Sequence, residues 1–356
     1  MDSSGDPASR RDGYPSGSNV NKFAGRNCEA DEQASSQLAE TMRTYKPSID
    51  SEELKKLSIL QPWGTVAALA LDWAVIAAAI ALSSHFGGVW LYLLAVAVIA
   101  GRMHGLGVLM HEAAHFRFLK NRKMADVAGD LLMAWPIMVT VDGYRQNHLA
   151  HHQHTNTDKD PDWTVKLGKV AHTFPQEVRV MILNLLGYVV AVNTLRDLAH
   201  VLPRLAKAKQ TGRYKLARIG YYLAAATLIT LLGIWKGFLL YWIVPYMTLF
   251  FLFLYVRGVA EHFGSMDYDE ELGSTRTVIP YFWERCFFAP HNINYHLEHH
   301  LFPGVPFYNL PKLSAALMQD ETYRGNAHIT RGYSTGVLRE CLAAAKRDKP
   351  GQLVQT

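Results

Sequence analysis

The stretch His296-Leu297-Glu298-His299-His300 follows the last of four hydrophobic runs in this 356-residue chain, and a matching stretch, His148-Leu149-Ala150-His151-His152, lies far upstream. A simpler pair, His111 and His115, precedes both. On a helix, residues at i, i+3 and i+4 share one face, so each HxxHH stretch is expected to aim three imidazoles at one point. Neutral imidazole is the commonest metal ligand among side chains. One such cluster can be ordinary packing. Two of them plus an HxxxH pair, all flanking apolar runs, point to metal held at a membrane surface.

The composition agrees. Hydrophobic residues make up 49% of the chain, and the net charge is a modest +5. Long apolar runs are therefore diluted by polar segments. No dense Lys/Arg run with interleaved aromatics occurs, which excludes nucleic acid as an expected partner. Cys28, Cys286 and Cys341 form no CxxC pair, against a disulfide scaffold or thiolate metal site.

Residues 1–60 are polar and charged and read as a mostly disordered cytosolic leader without a signal peptide, with a short helix near Ser51–Leu60. Gly64–Ser83 is a first span, since about 20 helical residues cover roughly 30 Å of bilayer core. Asp72 inside it is costly in lipid and is expected to face other helices. A second span starts at Val89 and leaves the membrane near Gly101, its helix continuing to carry His111 and His115. Leu131–Val141 and Val180–Val192 are apolar but short, and read as in-plane or interfacial helices. Leu216–Leu232 and Phe238–Val256 are the third and fourth spans, with Pro245 a kink candidate. An amphipathic helix is expected at Thr335–Lys346.

Among Lys and Arg, the two short turns hold only Lys236, whereas the leader, middle region and tail are rich in both. The positive-inside rule then puts both termini and all three histidine clusters on the cytoplasmic side. The expected fold is an all-α integral membrane protein: four transmembrane helices in two hairpins under a cytosolic helical cap holding a di-metal site. The domain reading is a leader over 1–60, a catalytic body over 61–317 and a cytosolic tail over 318–356.

His111, His115, His148, His151, His152, His296, His299 and His300 are eight candidate ligands, and His262, just past the last span, is a ninth. A single metal needs three or four, so the number suggests two metals. Nitrogen donors suit iron, zinc or copper, with iron favoured for oxygen chemistry because zinc is redox-inert. Glu112, Asp158, Asp160, Asp162, Glu261 and Glu298 are placed to orient imidazoles through their other nitrogen. His104, His172, His200 and His291 stand alone and read as structural. His154 abuts the second cluster but breaks its pattern.

HEAAH at 111–115, HLAHH at 148–152 with HTNTDKDPD at 154–162, and NINYHLEHHLFPGVPFYNLP at 292–311 resemble the three histidine boxes of the membrane fatty acid desaturase family. The resemblance covers about Trp63 to Leu317 and includes box order and span layout. It implies a non-haem centre of two Fe ions with O2 as co-substrate, which removes two hydrogens from an unactivated alkyl chain and releases water. It carries over His111, His115, His148, His151, His152, His262, His296, His299 and His300 as iron ligands. The implied partners are the membrane, a lipid or acyl-chain substrate and a separate electron carrier of ferredoxin, rubredoxin or cytochrome b5 type. No HPGG haem motif accompanies the boxes. Where acyl-CoA desaturases carry Asn, four residues before the isolated histidine, this chain has Gly258, so water or Asn294 is the expected tenth donor.

Related hydroxylases and ketolases on lipids or carotenoids carry similar boxes and are the alternative. The box context favours the alkene, with the substrate groove expected between the second and fourth spans near Trp135 and Tyr144. A remoter alternative reads His111-Glu112-Ala113-Ala114-His115 as the HExxH of an intramembrane zinc metalloprotease, with Glu112 as general base. A metal transporter would place ligands inside the spans.

Overall fold

The computed structural model describes residues 45–207 and 211–342, with side chains of 200–207 excepted. Most of the expected leader, the side chain of His200 and the end of the expected C-terminal amphipathic helix lie outside the described residues.

The chain enters through α1 (Ser51–Leu57), capped by the Asp50 side chain, which accepts the Glu53 N–H at 3.2 Å. Then α2 (Pro62–Phe86) and α3 (Val89–Ala114) form a hairpin. Pro62 suits the first turn of α2, where its missing N–H removes no helical bond. Gly87 and Gly88, at φ 68° and 88°, turn the chain where a side chain would be strained. One face of α2, Thr65, Leu69, Asp72 and Ile76, recurs every three to four residues and is buried.

Asp72 faces other helices, as expected. It is fully buried and accepts from Arg102 Nη1 at 3.1 Å and His291 Nε2 at 2.7 Å. This joins α2 to α3 and to the segment before the last histidine cluster. Gly105 makes the approach achievable, because a Cβ there would lie 2.6 Å from Asp72 Oδ2.

α4 (Arg122–Gly129) runs on to Ile137 through a π turn at Asp130–Ala134, and α5 (Val141–Gln153) follows after an 88° bend. α6 (Val178–Val189) and α7 (Val192–Lys207) meet at 79°. α8 (Gly212–Leu231) and α9 (Trp235–His262) complete the apolar helices. Within α9, π turns at Leu239–Ile243 and Tyr246–Phe250 flank Pro245. Proline has no N–H and crowds the preceding turn, so the widened turns take up the mismatch.

Among the described residues, three helices are long and apolar enough to cross a membrane: Ser51–Phe86, α3 and α9; each bent pair, counted as one span, raises the total to five. The expected third run lies in α8, which falls outside the three. Arg213, Lys215 and Arg218 in its early turns make it less apolar than the others. Leu71, Leu93, Leu94, Leu223 and Leu228 are nonetheless exposed, a pattern suited to lipid rather than water.

The all-α expectation needs one correction. Beyond α9, β1 (Thr277–Ile279) pairs in parallel with β2 (Ile329–Arg331). Thr277, Val278, Ile279, Ile329 and Thr330 are β-branched and pack well on a pleated surface. Between the strands come α10 (His296–Leu301) and α11 (Leu310–Leu317). The expected helix from Thr335 is instead a π turn at Gly332–Val337 leading into α12 (Leu338–Leu342). A core around α2, α3 and α11 contains Ile99, Leu106, Leu109 and Leu313, and a second core joins α6 and α9 to Tyr333 and Cys341.

Candidate metal centre

Four helix ends bring the histidines together: α3 carries His111 with His115 as its C-cap, α5 carries the second cluster, α9 ends at His262, and α10 carries the third. The donor atoms fall into two groups, each within 4.8 Å of one another. One is His111, His115, His148, His152 and His299; the other is His151, His262, His296 and His300. All nine sequence candidates are present, and His104, His154, His172 and His291 belong to neither group.

The expectation that each HxxHH aims at one point is corrected. His148 and His152 share one group while His151 serves the other, and His296 and His300 face away from His299. An α-helix turns by about 100° per residue, so residues i and i+4 nearly align while neighbours diverge. Adjacent histidines therefore serve different groups. Each HxxHH bridges two sites instead of building one.

Within the larger group, His152 Nε2 lies 3.1 Å from His148 Nε2 and 3.0 Å from His299 Nε2. In the smaller, His296 Nε2 and His262 Nε2 are 2.9 Å apart. The His152 and His300 rings stack at 4.2 Å between centroids, so the groups are contiguous. Burial, then the neighbouring imidazoles, holds His296, His299 and His300 well below the usual histidine range. Neutral imidazoles are the form that binds metal.

The surrounding carboxylates divide. Asp160 is fully buried and accepts from His151 Nδ1 at 2.8 Å, while also taking the Asn156, Asp162 and Trp163 N–H groups. Glu261 lies 3.4 Å from His296 Nδ1 and 2.6 Å from Arg257 Nε. The other four do different work. Glu112 accepts the Phe307 N–H at 3.0 Å, Asp162 the Asn147 amide at 2.5 Å, and Glu298 the Thr277 hydroxyl; Asp158 is exposed. A Glu112 held by backbone at Phe307 is poorly placed as the general base of a zinc protease.

Arg145 and Arg257 escaped the sequence reading, and Tyr144, expected at the groove, also serves the histidines. Arg145 donates to the Ala113 and Ala114 carbonyls, each at 2.9 Å, capping α3 beside His115 and fixing α5 against it. Tyr144 stacks on His148 at 4.9 Å between centroids. Arg257 braces Glu261, and its signal was legible: an i, i+4 Arg–Glu pair ending an apolar run. Arg145 had no such signal, because the α3 carbonyls it caps lie more than thirty residues away.

An apolar cavity of about 220 Å³ is lined among others by Met181, Leu185, Tyr255, Val259, Phe288 and Tyr333. It thus draws on α6, α9 and the C-terminal segment. Trp135, expected at the groove, packs against Tyr214 and Tyr221.

Residues 87–332 match the family described as fatty acid desaturase. A dihydrorhizobitoxine desaturase of Bradyrhizobium elkanii is 30% identical, covering 76% of this chain and 80% of the relative. An sn-1 oleoyl-lipid 12-desaturase of Anabaena variabilis is 28% identical over 58% of this chain and 63% of its own length. An sn-1 acyl-lipid omega-3 desaturase (ferredoxin) of Nostoc is 26% identical over 69% and 72%.

Proposed function

The chain belongs to the fatty acid desaturase family, and on that premise we propose that it is a membrane-bound di-iron enzyme introducing a double bond into a fatty acyl chain of a lipid. The observation carrying this reading is the division of nine histidines into two contiguous, buried, all-nitrogen groups. They fit metal by a separate test. His111 Nδ1 and Nε2, His115 Nε2 and His300 Nε2 are buried without hydrogen-bond partners among the described residues. Unpaired buried nitrogens are costly unless something else binds them.

In this reading His111, His115, His148, His152 and His299 hold one iron, and His151, His262, His296 and His300 the other. When bound, the irons supply the redox capacity to use O2 and two electrons, so that the alkyl chain loses two hydrogens and two waters leave. The protein's own part is to position and to exclude water. Asp160 accepts from the distal nitrogen of His151, and Glu261 stands 3.4 Å from the distal nitrogen of His296, which leaves the opposite nitrogens to face inward. Arg145, through the α3 carbonyls, and Tyr144, edge-on to His111 at 6.2 Å between centroids, fix α5 against α3. The apolar cavity between α6, α9 and the C-terminal segment offers an alkyl chain a dry surface.

The acyl-lipid substrate is supported by the Anabaena and Nostoc relatives, and a separate ferredoxin-type carrier by the Nostoc one. The proposed topology is four spans in two hairpins, with α8 as third span, both termini cytoplasmic and the histidine groups under a cytosolic cap. The proposed body is residues 61–317, with the tail fastened to it through the β1–β2 pairing. Purified enzyme given a reduced carrier, O2 and candidate lipids is expected to bind two irons per chain and yield an alkene. A product retaining label from oxygen-18 gas overturns desaturation in favour of hydroxylation.

A further inference from the structure

The loop that leaves α3 carries four cations in seven residues: Arg117, Lys120, Arg122 and Lys123. Lys120, Arg122 and Lys123 are exposed, and among the described residues none of the three has a carboxylate within ion-pair distance. Arg117 is half-buried, its Nη2 3.3 Å from where a Cβ on Gly304 would stand, in the loop after α10. On α4 and α5, Asp126 and Asp142 face Arg145 at 2.5 Å and 4.0 Å, and Glu112 is held by the Phe307 N–H. The three exposed cations are left uncompensated.

This patch begins next to a metal donor. Phe116 directly follows His115, a member of the five-histidine group, and lies at φ 59°. A bulky residue adopts that left-handed backbone only where its surroundings hold it there. Two guanidinium groups lie over its ring, Arg122 at 4.4 Å and Arg145 at 4.2 Å from the centroid. Arg122 thus joins the exposed patch, through one ring contact, to the residue beside His115. On the proposed topology α3 leaves the membrane near Gly101 and runs on to Ala114, about 20 Å of helix by its rise per residue. Lipid headgroups extend only about 5–8 Å beyond the hydrocarbon core. The patch therefore stands clear of the lipid surface, within reach of a soluble partner. Redox encounters use small, transient interfaces, and complementary charge sets their on-rate.

We propose that residues 116–123 form the docking surface for a soluble, acidic, one-electron carrier protein, which delivers its electron beside the five-histidine group. The proposal rests on the di-metal reading above and gives its electron carrier a place. The reaction proposed there takes up two electrons, so two carriers dock in turn, each oxidised by one electron as the centre is reduced by one. Lys120 and Lys123 steer and hold the carrier, while Arg122 and Phe116 fix the patch against His115.

The test uses full-length, iron-loaded protein in neutral detergent, with an acidic plant-type ferredoxin as the probe. Binding of the oxidised, fluorescently labelled ferredoxin is followed by anisotropy. Wild-type affinity is expected to fall about tenfold or more as salt rises from about 0.01 M to 0.15 M, where the Debye length shrinks from about 30 Å to 8 Å. At low salt, Lys120→Glu with Lys123→Glu is expected to bind about tenfold or more weakly, and the neutral pair Lys120→Gln with Lys123→Gln to fall between. Arg213→Glu with Lys215→Glu makes the same change in net charge at exposed positions of α8, and its affinity is expected to stay within about twofold of wild type. Stopped-flow mixing with reduced ferredoxin in the absence of O2 is expected to show two ferredoxins oxidised per chain, with a second-order rate that falls in the same proportion as the affinity. Equal binding by wild type and Lys120→Glu with Lys123→Glu overturns the proposal and leaves the patch to anionic lipid. An equal loss in the α8 variant also overturns it, since the effect is then one of overall charge. Fewer than two irons per wild-type chain, read by metal analysis before any ferredoxin is added, overturns the di-metal reading instead.

Discussion

At the scale of single residues, chain neighbours do different work. His151 and His152 belong to different donor groups, as do His299 and His300. His151→Ala and His152→Ala are each expected to lose one metal of two, from different groups, as measured by metal content and spectra. Turnover in each, and in His111→Ala and His299→Ala, is expected to fall below about a hundredth of wild type. Combining them adds little, because groups that act as a unit are not additive. Asp160 supplies a second prediction. Asp160→Asn keeps an acceptor for the helix turn but loses the charge facing His151. Metal affinity of the four-histidine group is expected to drop about tenfold or more, read by chelator competition, with the five-histidine group unchanged.

At the scale of elements, the C-terminal segment is fastened by a buried ion pair. Arg276, fully buried, reaches Glu340 at 2.6 Å, and Glu340 also accepts from His328 at 3.0 Å and Thr330 at 2.5 Å. Burial pushes the Glu340 carboxyl up, but the Arg276 guanidinium and these hydrogen bonds outweigh it and bring it from 4.5 down to about 2. A folded value below the unfolded one stabilises the fold above pH 4.5 and loses that stabilisation as pH falls toward about 2. Glu340→Gln is expected to cost about 3 kcal/mol at neutral pH, since it leaves Arg276 buried without its counter-charge. Melting curves across pH should show the wild type and the variant converging as pH falls from 4.5 toward 2. A constant gap sinks the assignment, and acid release of metal cancels in the comparison.

At the scale of the whole molecule, the histidine groups need α3, α5, α9 and α10 to end on one side of the membrane. Reporter tags at the N-terminus, near Lys207 and at the C-terminus are expected to read as cytoplasmic, and one in the Ser84–Gly88 turn as external. An external reading near Lys207 breaks the arrangement with α8 as a span. That is the informative position, because α8 is the proposed span with the most charge in its early turns.

Much of this was legible in sequence because it is local. Apolar runs near 20 residues, a Gly-Gly turn and imidazoles at helical spacing depend on helix geometry alone. That sufficed for a mainly helical chain with the nine histidines as candidates. Their division into five and four was not legible, because i, i+3 and i+4 describe a shared face without saying how wide it is. Only the packing of α3, α5, α9 and α10 decides which imidazole meets which. The β1–β2 pair joins positions about fifty residues apart, and Arg145 and Arg276 act through partners distant in the chain. Spacing along a helix selects the candidate ligands; contacts between helices, made by residues that carry no local pattern, decide which of the two donor groups each imidazole joins.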